Sequence, residues 1–196
     1  MKMEIIFATS NLHKLEEAQG VVGNKIRFVT PSQIGINHDI PEEGETLKEN
    51  ALFKAEFLFK ITGKNCFADD TGLEVESLKG APGVKSARYA SNECDSRLNM
   101  QKLLKELKGS INRRARFRTV IALILDGKQY FFEGTLNGII TENQSGKGGF
   151  GYDPLFLPNG YTKTLAELTD FQKNLISHRG IAIRNLSKFL ENYNRE

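Results

Sequence analysis

Two adjacent carboxylates, Asp69 and Asp70, follow the apolar pair Phe67-Ala68 and precede Thr71-Gly72. An apolar strand excludes charge because desolvating a carboxylate is costly. Acids at the mouth of such a strand therefore need a cation, a set of donors or open solvent. Neighbouring residues of a strand point to opposite faces, so the pair need not grip one ion together. The expectation is that one Asp faces a cleft while the other anchors a turn through backbone N–H groups. The plainer alternative is that Asp69-Asp70-Thr71-Gly72 is an ordinary turn with good Asx chemistry.

Four further stretches carry residue types suited to the same kind of chemistry. Thr9-Ser10-Asn11 are all N-cap residues and lead into Leu12-His13-Lys14-Leu15 in helical register. A strand that turns into a helix at such residues makes an anion seat, and Lys14 adds positive charge one turn in. His38–Glu45 is an acid-rich loop containing Glu42, able to serve a hard cation or simply to favour the dipole of the next helix. Gly146–Pro154 holds four glycines around Phe150, Tyr152 and Asp153. It is not a Walker loop, since Gly148 follows Lys147 where Ser or Thr is needed. It permits close backbone approach and presents a ring for stacking on a base, or is a flexible loop pinned by aromatics. Finally Lys173 and Ser177-His178-Arg179-Gly180 offer donors suited to carbonyl or phosphate oxygens.

The elements that must position these residues follow from periodicity. Met3–Ala8 and Ile26–Val29 read as strands. Thr46-Leu47-Lys48-Glu49 is a capping box opening a helix that Gly63 ends, with Asn50 and Lys54 roughly one turn apart beside its apolar face. Cys66–Ala68 and Leu73–Val75 read as strand segments on either side of the acidic turn, and Asp95–Leu107 as an amphipathic helix. Arg113–Arg118 alternates into the β-branched run Thr119–Leu125 and reads as an edge strand with a solvated basic face. Asp126-Gly127 is a hairpin signal, followed by strands over Gln129–Glu133 and Leu136–Thr141. Thr169-Asp170-Phe171-Gln172 is another capping box, and Ile183, Leu186, Leu190 and Tyr193 mark a last amphipathic helix. The fold class is α/β, a mixed sheet flanked by helices.

Composition sets the outer limits. The 196 residues fit a single domain spanning 1–196, and the 39% hydrophobic and 26% charged fractions are those of a soluble protein. No apolar run approaches the roughly 20 residues needed to cross a bilayer, and Met1–Phe7 enters a strand pattern without a signal-peptide core. The two cysteines, Cys66 and Cys94, lack metal-ligand spacing. A cytoplasmic protein with no membrane partner is expected. A net charge of +3 is too mild to argue for nucleic acid but tolerates a polyanionic small molecule.

A nucleoside triphosphate with Mg²⁺ would use every one of these stretches. The motifs also stand in a familiar order: Thr9-Ser10-Asn11-x-x-Lys14, Glu42-x-Gly44-x-Thr46-x-x-Glu49-Asn50-Ala51, Ala68-Asp69-Asp70-Thr71-Gly72-Leu73, Gly80-Ala81-Pro82-Gly83, Ser86-Ala87-Arg88-Tyr89, Gly149-Phe150-Gly151-Tyr152-Asp153-Pro154 and Ser177-His178-Arg179-Gly180. This resembles the non-canonical purine NTP pyrophosphatases (the inosine/xanthosine triphosphate pyrophosphatase, Ham1/RdgB-like family) from about residue 3 to the C-terminus. The resemblance implies hydrolysis of ITP, dITP and XTP to monophosphate and diphosphate, Mg²⁺ dependence, a homodimer, and an elongated mixed sheet with two lobes and a central substrate cleft. Carried over by position, Thr9, Ser10, Asn11, Leu12, His13 and Lys14 would hold phosphates, and Glu42 and Asp70 the metal. Asp70 would also be the general base. Phe150, Gly151, Tyr152 and Asp153 would stack on and read the purine, and Lys173, His178 and Arg179 would contact base and phosphate. Lys54 and Thr71 would be secondary contacts. Lys85 departs from the pattern where an aromatic is expected, and Glu45 where an apolar residue is common.

An Asp with its ordinary pKa near 4 is a weak base, so either Asp70 is tuned or metal-bound water supplies the hydroxide. Two rival functions remain: a phosphatase with a nucleophilic aspartate, which usually wants two acids one residue apart, and an RNA-binding module built on Arg113–Arg118.

Overall fold

Apolar residues alternate between two cores along three of the strands, and this alternation sets the architecture. The computed structural model describes residues 3–24, 26–36 and 44–193. In chain order these form β1 (Met3–Phe7), α1 (Leu12–Val22), β2 (Ile26–Val29), α2 (Leu47–Thr62), β3 (Cys66–Val75), β4 (Pro82–Gly83), α3 (Ser96–Glu106), β5 (Arg114–Leu125), β6 (Lys128–Ile140), β7 (Phe156–Pro158), α4 (Asp170–Ile176) and α5 (His178–Tyr193). The strand order is β2-β1-β3-β5-β6-β7, with β4 paired to β3. The sheet is mixed: β1 runs parallel to β2 and β3, with Ile6 opposite Cys66 and Phe7 opposite Phe67, while β4 and β7 pair antiparallel to β3 and β6. No helix among the described residues is long and apolar enough to cross a membrane.

The chain divides into two compact units, one of Met1–Asp70, Thr119–Gly134 and Ser177–Glu196, the other of Thr71–Arg118 and Thr135–Ile176. In the first unit the period-2 alternation of strands gives two separate cores. Ile5, Phe7, Phe67, Ile121, Leu123 and Leu125 meet Ala18 and Val22 of α1 and Ala182, Ile183, Leu186 and Leu190 of α5. Their neighbours in sequence, Ile6, Ala8, Cys66, Ala68, Ala122 and Ile124, meet Ala51, Ala55 and Leu58 of α2 instead. The sheet is thereby sandwiched between α1 and α5 on one face and α2 on the other. Phe7 and Phe67 stack at 4.3 Å between ring centroids, with Phe28 set edge-on to Phe67 at 4.9 Å. The second unit has one core, in which Leu73, Val75, Phe117 and Ile140 of the strands pack with Met100 and Leu103 of α3 and with Tyr152, Leu155, Phe156 and Leu165.

The cap chemistry read from the sequence is present. Thr46 and Glu49 close a reciprocal box at the start of α2 and Gly63 ends it in the left-handed conformation. Asp126 and Gly127, at φ 50° and 75°, make the two-residue turn between β5 and β6.

Three expectations are corrected. Asp69–Gly72 is not a turn, because β3 runs unbroken from Cys66 to Val75. Likewise β6 is one thirteen-residue strand where two were expected. The basic run does not mark an edge, since β5 lies between β3 and β6. Arg116 Nε is 2.5 Å and Arg118 Nη1 3.9 Å from the Glu74 carboxylate, and the Arg113 guanidinium donates to the carbonyls of Leu107, Ile140 and Thr141. Arg113, Arg116 and Arg118 are thus engaged within the protein.

One close approach fixes α5. A Cβ on Gly134 would lie 2.0 Å from the His178 carbonyl oxygen and 2.7 Å from the Ala182 nitrogen. Gly134→Ala is therefore expected to cost about 1–3 kcal/mol through forced backbone shifts, measured by urea unfolding; unchanged stability would contradict this contact.

Candidate active site

The alternation that splits the first unit's core continues into Asp69 and Asp70. Asp69 follows the face of Phe67, toward α1 and α5, and Asp70 follows Ala68, toward α2. Each meets a different set of partners.

Asp69 is 1% exposed. Its Oδ1 accepts from Lys14 Nζ of α1 at 2.8 Å, and its Oδ2 from Arg179 Nε of α5 at 3.1 Å. Arg179, itself 2% exposed, reaches on through Nη1 to Glu17 of α1. Burial on its own would raise the Asp69 carboxyl. The Lys14 ammonium and the Arg179 guanidinium outweigh it and hold Asp69 well below the usual carboxylate range. Burial is also the largest influence on the two cations. It lowers Lys14 despite the pull of Asp69, whereas Asp69 and Glu17 together overcome it at Arg179 and raise that group. Asp69 is thus held in a buried side-chain network, which is why the strand need not turn to solvent here.

Asp70 is 8% exposed. Lys54 Nζ stands 3.2 Å from its Oδ1 and Asn50 Nδ2 3.3 Å from its Oδ2. Both partners come from α2, one turn apart as the sequence spacing predicts, and both are buried. Asn50 is not among the site residues expected from the sequence. Its position next to the helix's apolar face was visible, but nothing local shows that Asp70 would lie across from it.

The other expected phosphate contacts cluster at the start of α1. Asn11 is the N-cap and its Oδ1 accepts from the Lys14 backbone N–H at 3.2 Å. The Thr9 hydroxyl accepts from the Asn11 N–H at 3.1 Å. Ser10, Leu12 and His13 are exposed, with His13 Nδ1 3.7 Å from Glu16. An eleven-residue helix with its N-terminus at Thr9–Lys14 offers the dipole end favoured by anions. His178 is buried in the first turn of α5 beside Arg179.

The second unit assembles the expected base contacts. Asp153 Oδ2 accepts from the Phe150 N–H at 2.8 Å and from Lys173 Nζ at 2.6 Å. The same ammonium lies 4.8 Å from the centre of the half-buried Phe150 ring. Gly149 is at φ 68°, and a Cβ there would strike Asp153 Oδ2 at 2.1 Å, so the loop is built around this carboxylate. Tyr152 is 4% exposed and donates to the Ser86 carbonyl oxygen at 2.8 Å, so its ring belongs to the core. Gly151 is half-buried at φ 63°, and Thr71 is half-buried on β3.

Glu42, expected to share the metal, lies outside the described residues. Among the described residues no three His, Cys, Asp or Glu side chains group together as a metal cage. Mg²⁺ typically takes one or two carboxylates plus waters and substrate phosphates. Asp70, 8% exposed and met by Lys54 and Asn50 at 3.2 and 3.3 Å, fits that demand better than Asp69, which lies 1% exposed between two cations.

Removing one partner of a buried ion network strands the rest. Asp69→Asn is expected to cost about 3–5 kcal/mol at neutral pH. The Asp69 carboxyl titrates lower folded than unfolded, so its contribution is complete above pH ~4 and fades as acid protonates the unfolded chain first. The stability gap between parent and variant should therefore narrow below pH ~4 in denaturant titrations; a gap that widens on acidification would contradict the network.

Comparison with known proteins gives the chain a family. The family model described as the Ham1 family matches residues 5–189. A dITP/XTP pyrophosphatase of Christiangramia forsetii is 50% identical over 188 residues, covering 96% of this chain and 99% of that protein. One from Porphyromonas gingivalis is 50% identical, covering 95% and 97%. Among solved structures, the Ham1 protein of Staphylococcus aureus superposes with a TM-score of 0.88 at 39% identity, over 97% of this chain and 99% of that one. A HAM1 protein from Coxiella burnetii gives the same TM-score and identity. With matches spanning nearly the whole length of both partners, the chain belongs to the Ham1 family.

Proposed function

We propose that this protein is a nucleoside triphosphate pyrophosphatase that hydrolyses ITP, dITP and XTP to the nucleoside monophosphate and diphosphate, so keeping deaminated purines out of nucleic acid. The observation that carries the reading is the separation of the two acids. Asp69 is neutralised by Lys14 and Arg179, while Asp70, on the other face, is flanked by one lysine and one neutral amide. The activity after which the relatives are named, dITP/XTP pyrophosphatase, supplies the substrate class.

In this reading Asp70 accepts the proton of the attacking water. The water's oxygen bonds to phosphorus at the α–β phosphoanhydride, and diphosphate leaves with the electrons of the broken P–O bond. Asp70 and Glu42 would hold Mg²⁺, which supplies charge neutralisation at the phosphate oxygens. The N-terminus of α1 adds fixed positive potential for the triphosphate, with Lys14, paired to Asp69, one turn in. In the second unit Phe150 offers its ring for stacking and Lys173 a buried ammonium donor. A donor opposite the purine 6-oxo group favours hypoxanthine and xanthine. The 6-amino group of adenine would meet it donor to donor and leave buried groups unpaired. We further propose a homodimer working in the cytoplasm, in keeping with the absence of a spanning helix among the described residues and with a substrate of the nucleotide pool.

Asp70→Asn should abolish diphosphate release from ITP while leaving the far-ultraviolet circular dichroism of the parent, and normal turnover would remove the assignment. Phe150→Ala should raise KM and narrow the preference for ITP over ATP; an unchanged preference would count against stacking.

A further inference from the structure

We propose that Asn50 is a positioning residue whose amide, itself aligned by the Gly44 N–H, sets the orientation of the Asp70 carboxylate. The inference rests on reading Asp70 as the reacting acid. A backbone N–H can only donate, so the Asn50 atom that meets Gly44 N at 2.7 Å must be the amide oxygen. That choice leaves the amino group no other direction than toward Asp70 Oδ2, at 3.3 Å. Asn50 is 4% exposed, so water does not compete for either end.

The approach to Gly44 is built for this contact. A Cβ there would lie 2.7 Å from Asn50 Oδ1 and 2.9 Å from Glu49 Cβ. Only a glycine lets the chain come close enough to hand its N–H to the amide.

The chemistry explains why an amide stands here. An Asp side chain has two rotatable bonds, and fixing one oxygen leaves the carboxylate plane free to swing. Lys54 takes Oδ1 and Asn50 takes Oδ2, from positions i and i+4 of the same helix. The lysine supplies charge, and the amide supplies direction without a second charge that would compete with a cation or a phosphate for Asp70.

Two variants separate this role from simple tethering of the α2 entrance. Asn50→Asp keeps an acceptor for Gly44, removes the donor to Asp70 and adds a charge beside it; Asn50→Ala removes both hydrogen bonds without adding charge, so a loss of kcat common to the two reports the lost donor. With ITP and Mg²⁺, both are expected to lower kcat by about 10- to 100-fold, the scale of a hydrogen bond to a charged group. KM should stay within about twofold, because the lost contact acts on the reacting step. Gly44→Ala should lower kcat in the parent but not in the Asn50→Ala background, since both act through one contact. In ¹⁵N spectra of the free enzyme the Asn50 side-chain amide resonance should move on both Gly44→Ala and Asp70→Ala.

Parent-like kcat in Asn50→Asp, additive losses in the double variant, or an amide resonance indifferent to Asp70→Ala would each overturn the positioning role. Should Asn50→Ala not fold, Asn50→Asp and Gly44→Ala carry the same test. If Asp70→Asn itself retains turnover, the reading of Asp70 falls; if it is inactive while Asn50→Asp is normal, only the role of Asn50 falls.

Discussion

Everything in the first unit follows from placing two charges side by side in a buried strand and finding each a counter-charge on its own face. β3 is apolar from Cys66 to Ala68 and buried through Asp70. A strand cannot aim two consecutive side chains the same way, so Asp69 goes to the layer of α1 and α5 and Asp70 to the layer of α2. The sandwich of helices around the sheet is therefore also a sorting of cations. Lys14 and Arg179 arrive with one layer, Lys54 with the other. Left without them, either carboxylate would face the full cost of an unpaired charge in a low-dielectric interior.

The sorting gives the two acids different characters from identical chemistry. Asp69 meets Lys14 and Arg179, and Arg179 is tied in turn to Glu17, a network that joins α1 and α5 to the strand. Such networks are poor sources of stability compared with apolar packing but are severe about which partner may be removed. Asp70 meets Lys54 and the Asn50 amide at longer range. The second unit repeats the principle on a smaller scale. Its buried Lys173–Asp153 pair, at 2.6 Å, gathers the Phe150 N–H and ring around one ammonium.

Much of this was legible in the sequence where the signal is local. The Thr46–Glu49 box, the Asp126-Gly127 turn and the Asn11 cap each involve groups within a few residues, and each formed as the residue types require. What escaped was decided by distant partners. Asp69–Gly72 looked like a turn because the cost of burying acids was visible and the arriving Lys14, Arg179 and Lys54 were not. Arg116 and Arg118 looked like an edge because Glu74, their partner, lies 42 and 44 positions away in the chain. Tyr152 read as a ring offered to a base, yet its hydroxyl reaches back to the Ser86 carbonyl oxygen and its ring fills the core. Asn50 stood out beside the apolar face of its helix, but its partner Asp70 lies twenty positions away.

The division between the two acids is open to direct observation in the free enzyme. Following the ¹³Cγ resonances of the aspartates with pH, assigned by Asp69→Asn, reports the ionisation of Asp69 itself. Held by an ammonium and a guanidinium, Asp69 should show no titration step at or above pH ~4, the ordinary range for the side chain. A midpoint at or above that range would mean that the cations do not govern this carboxylate, and the account of the fold and of the site would fail together.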